Sequence, residues 1–484
     1  MDEGSQLSDR RRLAILAICC MSLLIVAMDN TIVNVALPSI RRDLHASLSG
    51  LQWTIDAYTI VLASLLMLSG SMADRLGRRR TFQAGLALFA ASSLLCSLAP
   101  SLGWLIAARA LQAVGGSMLN PVAMSIITNV FTDPRERARA IGAWGAVVGI
   151  SLALGPVIGG ALTETVGWRG IFWINVPIGL AAIVLTALFV PESRAPRARR
   201  VDPLGQVLVI VALASLTYAI IDGPHAGWAS AQSVALFTAA GGALAGLIAY
   251  EPRRRDPLIE LRFFRSAPFS GATLIAVSAF AAFSGFLFLN TLYLQDVRGY
   301  SALDAGLCTL PMAIAAMACS PLSGRTVGSR GPRLPLFVAG ACMAVSALML
   351  TQLTPGTPLA LLLVAYAIFG VGFGSVNSPI TYTAVSGMPD NQAGVAAAVA
   401  STSRQVGQTL GVAVTGSILG AAVGSGIGTH LASASHPAWW TIAGCGTLVI
   451  AVGAATTGRW GQRTARGCRG LLEEEEATQP LISA

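Results

Sequence analysis

The sequence predicts an all-α integral membrane protein with fourteen transmembrane helices. Three observations predict it. The 484 residues are 54% hydrophobic and 11% charged, whereas a soluble domain carries about 25% charged residues. Apolar stretches of about the 20 residues that a spanning helix needs recur along the whole chain. The basic residues, all arginine, gather in alternate connecting segments, as the positive-inside rule demands. A soluble fold of this length would need polar helix faces that long stretches here lack. The net charge of +9 does not indicate nucleic acid, because the arginines are divided among short loops and form no single basic face. The eight cysteines have neither metal-ligand spacing nor a disulfide pattern, so no metal is expected.

The first predicted span, 13–37, follows Arg10, Arg11 and Arg12. It is longer than the apolar core of a signal peptide and lacks a clear small-residue cleavage site. Spans at 50–71 and 82–99 are joined by an arginine-rich stretch, and spans at 102–128, 139–163 and 169–190 complete a first set. Two more, 204–222 and 232–250, are flanked by the basic stretches Arg194 to Arg200 and Arg253 to Arg265. The last six are 269–295, 304–323, 334–352, 358–384, 393–420 and 438–458. Backbone groups in lipid must bond internally, so each is a helix, and the short alternating strands of a β-barrel are missing. With the amino terminus inside, only Arg41, Arg42, Arg169 and Arg298 fall in outer loops and only Arg109 and Arg404 inside spans. An odd count would put Arg459, Arg463, Arg466 and Arg469 outside, so both termini are expected to be cytoplasmic.

A weak repeat divides the chain. Gly70-Ser-Met-Ala-Asp74-Arg75-Leu-Gly77-Arg78-Arg79-Arg80 follows the second span, and Gly324-Arg-Thr-Val-Gly328-Ser-Arg-Gly331-Pro-Arg333 follows the tenth. This predicts six-helix bundles at 12–193 and 268–460, a two-helix insert at 203–250 and a solvated, mobile cytoplasmic tail at 461–484 carrying Glu473 to Glu476. Duplicated halves around a central site are a common transporter plan.

Charges inside spans are costly and usually functional. Asp29 and Asp56 are the acids well inside spans, and Arg109 and Arg404 are the basic counterparts. At about 1.5 Å per residue, Asp29, Asp56 and Arg109 lie roughly 9–12 Å below the outer surface. This predicts a cluster facing a common cavity. All four histidines fall in predicted outer loops, so a carboxylate is the available proton carrier. Burial raises a carboxylate's pKa and a nearby arginine lowers it, so a conformational change that alters either loads or releases a proton. Gly155-Pro156-x2-Gly159-Gly160 offers a close-packing face and a bend. Asp74 is a lone acid at a helix C-terminus, where the dipole disfavours it, and so needs a specific partner. Trp53, Gln112, Trp144, Asn290 and Arg404 are candidates to line a substrate cavity, as are Phe283, Phe286 and Tyr293, although core packing is an alternative for each aromatic. The polar neighbours of Arg404 favour a wet cavity face near the midplane, unless the span begins later and Arg404 is interfacial.

These motifs together resemble the fourteen-span drug:proton antiporter branch of the major facilitator superfamily. Gly70-x3-Asp74-Arg75-x-Gly77-Arg78-Arg79 matches the superfamily's loop motif, and Gly155-Pro156-x2-Gly159-Gly160 matches the span-five motif of exporters. Leu105-x3-Arg109-x2-Gln112 resembles the span-four motif linked to proton coupling, but has Ala113 where glycine is usual. Met28-Asp29-Asn-Thr31-Ile-Val-Asn34-Val-Ala36-Leu37-Pro38, Trp168-Arg169-x2-Phe172-x2-Asn175-Val176-Pro177 and Arg404-Gln405-x-Gly407 are similar to signatures of that branch. The second-half loop departs from the motif, with Gly328 where Asp74 stands in the first.

The resemblance implies the major facilitator fold, in which Asp74 latches the cytoplasmic side. It implies a monomer in the plasma (inner) membrane of a bacterial cell, exporting amphipathic compounds such as antibiotics or dyes. Its partners would be a drug-like small molecule, protons and the lipid bilayer. The proton gradient would supply the energy with no cofactor. The alternatives are a proton-coupled importer of a small metabolite, against which Gly155-Pro156 argues, or an exporter of a lipid or endogenous metabolite. A channel would need a selectivity filter or a charged pore ring, and neither is visible. No GxxxxGK[ST] loop supports an ATP-driven pump, and no His-paired nucleophile lies at depth to support an enzyme.

Overall fold

The structure, a computed structural model, describes residues 8–194, 202–254, 257–389, 392–423 and 431–478. The helices in chain order are α1 (Asp9–Leu44), α2 (Leu48–Leu76), α3 (Arg78–Ser97), α4 (Leu102–Val130), α5 (Pro134–Thr165), α6 (Gly170–Trp173), α7 (Asn175–Phe189), α8 (Pro203–Ala226) and α9 (Ala231–Tyr250). They continue with α10 (Ala267–Leu292), α11 (Ala302–Cys308), α12 (Leu310–Arg330), α13 (Arg333–Leu350), α14 (Leu359–Val385), α15 (Ala393–Val423), α16 (Leu431–Ala434), α17 (His436–Thr456) and α18 (Arg459–Thr478). Among the described residues there is no strand. Many helix starts are fixed by side-chain caps that satisfy orphan amides. Ser47 accepts from Gly50 N, Ser101 from Trp104 N, and Asp133 from the amides of Arg135 and Glu136 just after Pro134.

Twelve candidate spans among the described residues are long and apolar enough to cross a membrane. The expected count of fourteen rests on α3 and α15, which are helical at two predicted spans but are not among those twelve. The physical reason is composition. Helix α3 opens on Arg78, Arg79 and Arg80, and α15 carries Arg404, Gln405 and Gln408.

The chain forms two compact units. The first comprises Met1–Val201 with Leu294–Leu310, and the second Asp202–Tyr293 with Pro311–Ala484. In the first, Phe82, Leu86 and Phe89 of α3 pack with Tyr58 and Leu62 of α2 and with Leu119 and Val122 of α4. In the second, α10 packs along α15 and α17, and α8 packs on α9 and α15. The outward faces of α8 and α9 expose Leu204, Val207, Val234, Phe237 and Leu244, the apolar surface that lipid-facing helices present.

The repeat seen in sequence recurs in the backbone. Gly77 ends α2 with φ 111° and Gly331 follows α12 with φ 82°, a region only glycine enters freely. The tail departs from the expected mobile segment, because α18 is helical as far as Thr478. Ala465, Cys468 and Leu472 are buried on one side of it. Thr464 Oγ1 accepts from Ala267 N at 3.1 Å, which ties α18 to the start of α10.

Candidate functional site

The first unit holds a buried ion pair. Asp29 of α1 is 0% exposed and Arg109 of α4 is 1% exposed. Arg109 Nη1 donates to Asp29 Oδ2 at 2.5 Å and to Gln112 Oε1 at 2.7 Å, and its Nε donates to the Thr54 carbonyl of α2 at 3.2 Å. The other carboxylate oxygen, Asp29 Oδ1, accepts from Gln112 Nε2 at 3.0 Å and Asn175 Nδ2 at 3.3 Å. Both amides also donate to Ser93 Oγ of α3, at 2.7 Å and 3.0 Å. The guanidinium lies over the Tyr58 ring, 4.2 Å from its centroid, where the ring quadrupole attracts a cation. Desolvation opposes a buried pair, so it persists only with good geometry and satisfied lone pairs. Here both Asp29 oxygens accept, while Asn175 Oδ1 and the Tyr58 hydroxyl are left without a partner among the described residues.

Sequence reading brought Asp29, Arg109 and Gln112 forward but missed Thr54, Tyr58, Ser93 and Asn175. Asn175 stood in a recognised signature; Ser93 carried no signal. Gln112, expected to line the cavity, is buried in this network.

Asp56 corrects the expected cluster of three charges. It is fully buried, but it makes no ion pair with Arg109, and the Thr59 hydroxyl one turn on is the polar side chain beside it. Thr54 and Tyr58, which meet Arg109, lie two residues to either side of it. At about 100° per residue that places Asp56 on the opposite side of α2.

The loop motif forms a small hydrogen-bonded turn. Asp74, which needed a partner, pairs at 3.0 Å with Arg78, the first residue of α3 beyond the Gly77 break. Gly77 passes so close to Glu192 that a Cβ there would lie 2.5 Å from its Oε1. Glu192 accepts from Arg79 N at 3.1 Å, and Arg78 N donates to the Ser193 carbonyl at 2.9 Å. Arg75 is exposed, and Gly70 faces Pro121. Glu192, one acid beside a basic stretch, is a partner of the Arg79 amide and the Arg80 guanidinium for which the sequence carried no signal.

On α5, Gly155 and Gly159 abut Thr31 and Ile32 of α1, and Gly160 abuts the backbone of Ala302 and Leu303 at the start of α11. The favour is returned by Gly306, which abuts the Pro156 carbonyl. Small residues here set the approach of α5 to the helix that carries Asp29. Nearby, Arg41 forms a two-contact pair with Asp296, at 3.1 Å and 3.2 Å. A Cβ at Gly160 would lie 2.5 Å from the Ala302 carbonyl oxygen. We expect Gly160→Leu to force α5 and α11 apart and lower stability by about 1–3 kcal/mol, the usual cost of overpacking. A thermal-unfolding midpoint in detergent equal to wild type would contradict that.

The remaining cavity candidates divide. Trp53 and Trp144 are half-buried, and Trp144 packs on the first unit's core. Asn290 does not offer a free amide. It is buried, its Nδ2 donates to the Phe286 carbonyl at 2.9 Å, and its Oδ1 accepts from Tyr366 at 2.6 Å. Phe286 stacks on Phe369, and Tyr293 donates to the Thr354 carbonyl, so both serve the core of the second unit. Arg404 bonds Ser401 and Thr381, while its Nε has no partner. Among the described residues no group of three or more His, Cys, Asp or Glu side chains is placed to hold a metal ion.

The model of the Major Facilitator Superfamily matches residues 19–412. The multidrug resistance protein Stp of Mycobacterium tuberculosis is 37% identical over 406 residues, covering 84% of this chain and 75% of the relative. The tetracenomycin C resistance and export protein of Streptomyces glaucescens is 37% identical over 395 residues, covering 81% and 73%. The puromycin resistance protein pur8 of Streptomyces alboniger is 37% identical over 413 residues, covering 84% and 81%. Among solved structures, a bacterial homologue of the lysosomal transporter Spinster, inward-facing and occupied, aligns with a TM-score of 0.66 at 17% identity, covering 92% of this chain and 96% of that one. This last likeness bears on the fold alone.

Proposed function

The chain belongs to the Major Facilitator Superfamily, and we propose that within it this protein is a proton-coupled exporter of amphipathic drug-like compounds. It is a multi-pass membrane transporter and not an enzyme. The names of its relatives, resistance and export proteins for antibiotics, support the substrate class. The observation that carries the coupling is a hydrogen-bonded Asp29–Arg109 pair buried inside spanning helices, with a second buried carboxylate, Asp56, that has no cation beside it. A proton exchanged at such carboxylates changes charge in a medium where charge is costly, and so biases one conformation over another.

On this reading α3 and α15 also cross the membrane, giving fourteen spans with both termini in the cytoplasm of a bacterial cell. The bundles 12–193 and 268–460 flank the insert 203–250. The protein acts as a monomer, driven by the proton gradient with no cofactor. The test is a pH change inside energised inverted vesicles when an exported compound is added. Proton release coupled to uptake of the compound is the expected result. Uptake driven equally well after the gradient is collapsed would sink the proposal.

Asp74 tests the loop. It lies about 30 Å along α2 from Thr54, counted at about 1.5 Å per residue, and so far from the ion pair. Asp74→Asn should lower turnover by about tenfold while leaving substrate affinity within about twofold, the pattern of a residue that controls a conformational step. Lost binding with unchanged turnover would contradict this.

A further inference from the structure

Arg404 sits on α15 in a locally polar stretch with Ser401, Thr402, Gln405 and Gln408. Its guanidinium is committed to hydroxyls. Nη1 donates to Ser401 Oγ at 3.3 Å and Nη2 to Thr381 Oγ1 of α14 at 2.6 Å, and Nε is unpartnered. Among the described residues no carboxylate forms an ion pair with it. Arg404 is half-buried, and hydroxyls satisfy its donors without neutralising its charge, which leaves the guanidinium open to an anion.

The surroundings on the same unit are aromatic. The guanidinium carbon lies 6.0 Å from the centroid of Phe280, Phe280 meets Phe373 edge-on at 5.3 Å, and Phe373 stacks on Phe283 at 4.1 Å with planes 13° apart. Thr381 lies in the last turns of α14, which ends at Val385. The charged head therefore points towards that end of the bundle, and the phenylalanine stack continues from it into the helices.

A planar guanidinium with Nε free beside a terminal nitrogen is the fork that grips an acid group through two parallel bonds. We propose that Arg404 and the Phe280–Phe373–Phe283 stack form a subsite for lipophilic aromatic anions among the exported compounds. A carboxylate or phenolate meets the guanidinium, and the ring system lies against the phenylalanines. This rests on the export reading above and adds a charge preference to it.

The test uses the full chain in proteoliposomes with a proton gradient and two probes, a carboxylate-bearing xanthene dye and a permanently cationic phenanthridinium dye of similar size. Wild type should transport both. Arg404→Ala should slow the acid dye by about tenfold or more, the worth of a lost charge-assisted bond, and leave the cationic dye within about twofold. Arg404→Lys should recover only part of the loss, because an ammonium cannot reproduce the fork. The cationic dye reports whether each variant is folded and coupled. Equal loss for both dyes would assign Arg404 to structure or coupling and overturn the subsite. Loss confined to vesicles containing anionic lipid would place a lipid phosphate on the guanidinium and overturn it as well. Transport of neither dye by wild type would count against the export reading itself.

Discussion

Asp29→Asn is expected to abolish substrate-driven proton movement and to lower stability, while the protein still inserts and folds. The carboxylate accepts on both oxygens, from Arg109 on one and from Gln112 and Asn175 on the other. An asparagine supplies one acceptor and one donating amide. If its oxygen faces Arg109, its amide faces two other amides, Gln112 Nε2 and Asn175 Nδ2, and donor meets donor. Rotating Gln112 does not relieve this, because its oxygen already accepts from Arg109 at 2.7 Å. The buried guanidinium is also left without its counter-charge. Removing one partner of a buried pair costs about 3–5 kcal/mol, and asparagine, which keeps one hydrogen bond, should fall at the low end of that range. The readouts are the thermal midpoint in detergent and the pH change in energised vesicles on adding substrate. Normal exchange by the mutant would remove Asp29 from the mechanism.

Much of this site was legible in the sequence, and the part that was not has a physical explanation. Counting residues along a helix gives depth, at a fixed rise per residue, and depth correctly set Asp29 beside Arg109. Depth carries no information about which side of the helix a residue faces relative to its neighbours. Asp56 shares the depth but turns away, because Thr54 and Tyr58 already occupy the face of α2 that meets Arg109. Asn290 shows a different limit. A polar residue in an apolar run can line a cavity or be satisfied in the core, and its partner, Tyr366, is 76 residues away in sequence. The tail was misread because its run of glutamates outweighed its periodicity. Ala465, Cys468 and Leu472 recur at the spacing of a helix with one apolar face. The two helices that fall short of the apolarity of a span, α3 and α15, carry Ser93 and Arg404.

Asp56→Asn should separate transport from its energy source without unfolding the protein. Asp56 is as buried as Asp29, yet no arginine holds it and its polar neighbour is the neutral Thr59 hydroxyl. An ionised carboxylate without a counter-charge is costly in an apolar interior, and Asp56, with no cation beside it, is the carrier we propose. Asp29 has the opposite surroundings, a guanidinium and two amides that donate to its two oxygens. On the proposed reading both acids serve coupling: the Asp29–Arg109 pair ties α1, α2 and α4 together and is required for the step in which Asp56, the proposed carrier, gives up its proton. Asparagine at 56 copies the shape of the protonated acid and leaves no cation stranded. The thermal midpoint of Asp56→Asn should stay close to wild type, in contrast to Asp29→Asn. Uphill export driven by a proton gradient should disappear, while exchange of labelled for unlabelled substrate across vesicles without a gradient persists within about twofold, because exchange needs the conformational cycle but no net proton transfer. Both assays run on the same vesicle preparation. Gradient-driven accumulation at the wild-type level would exclude Asp56 as the carrier. Loss of exchange together with accumulation would show that it serves the conformational change itself.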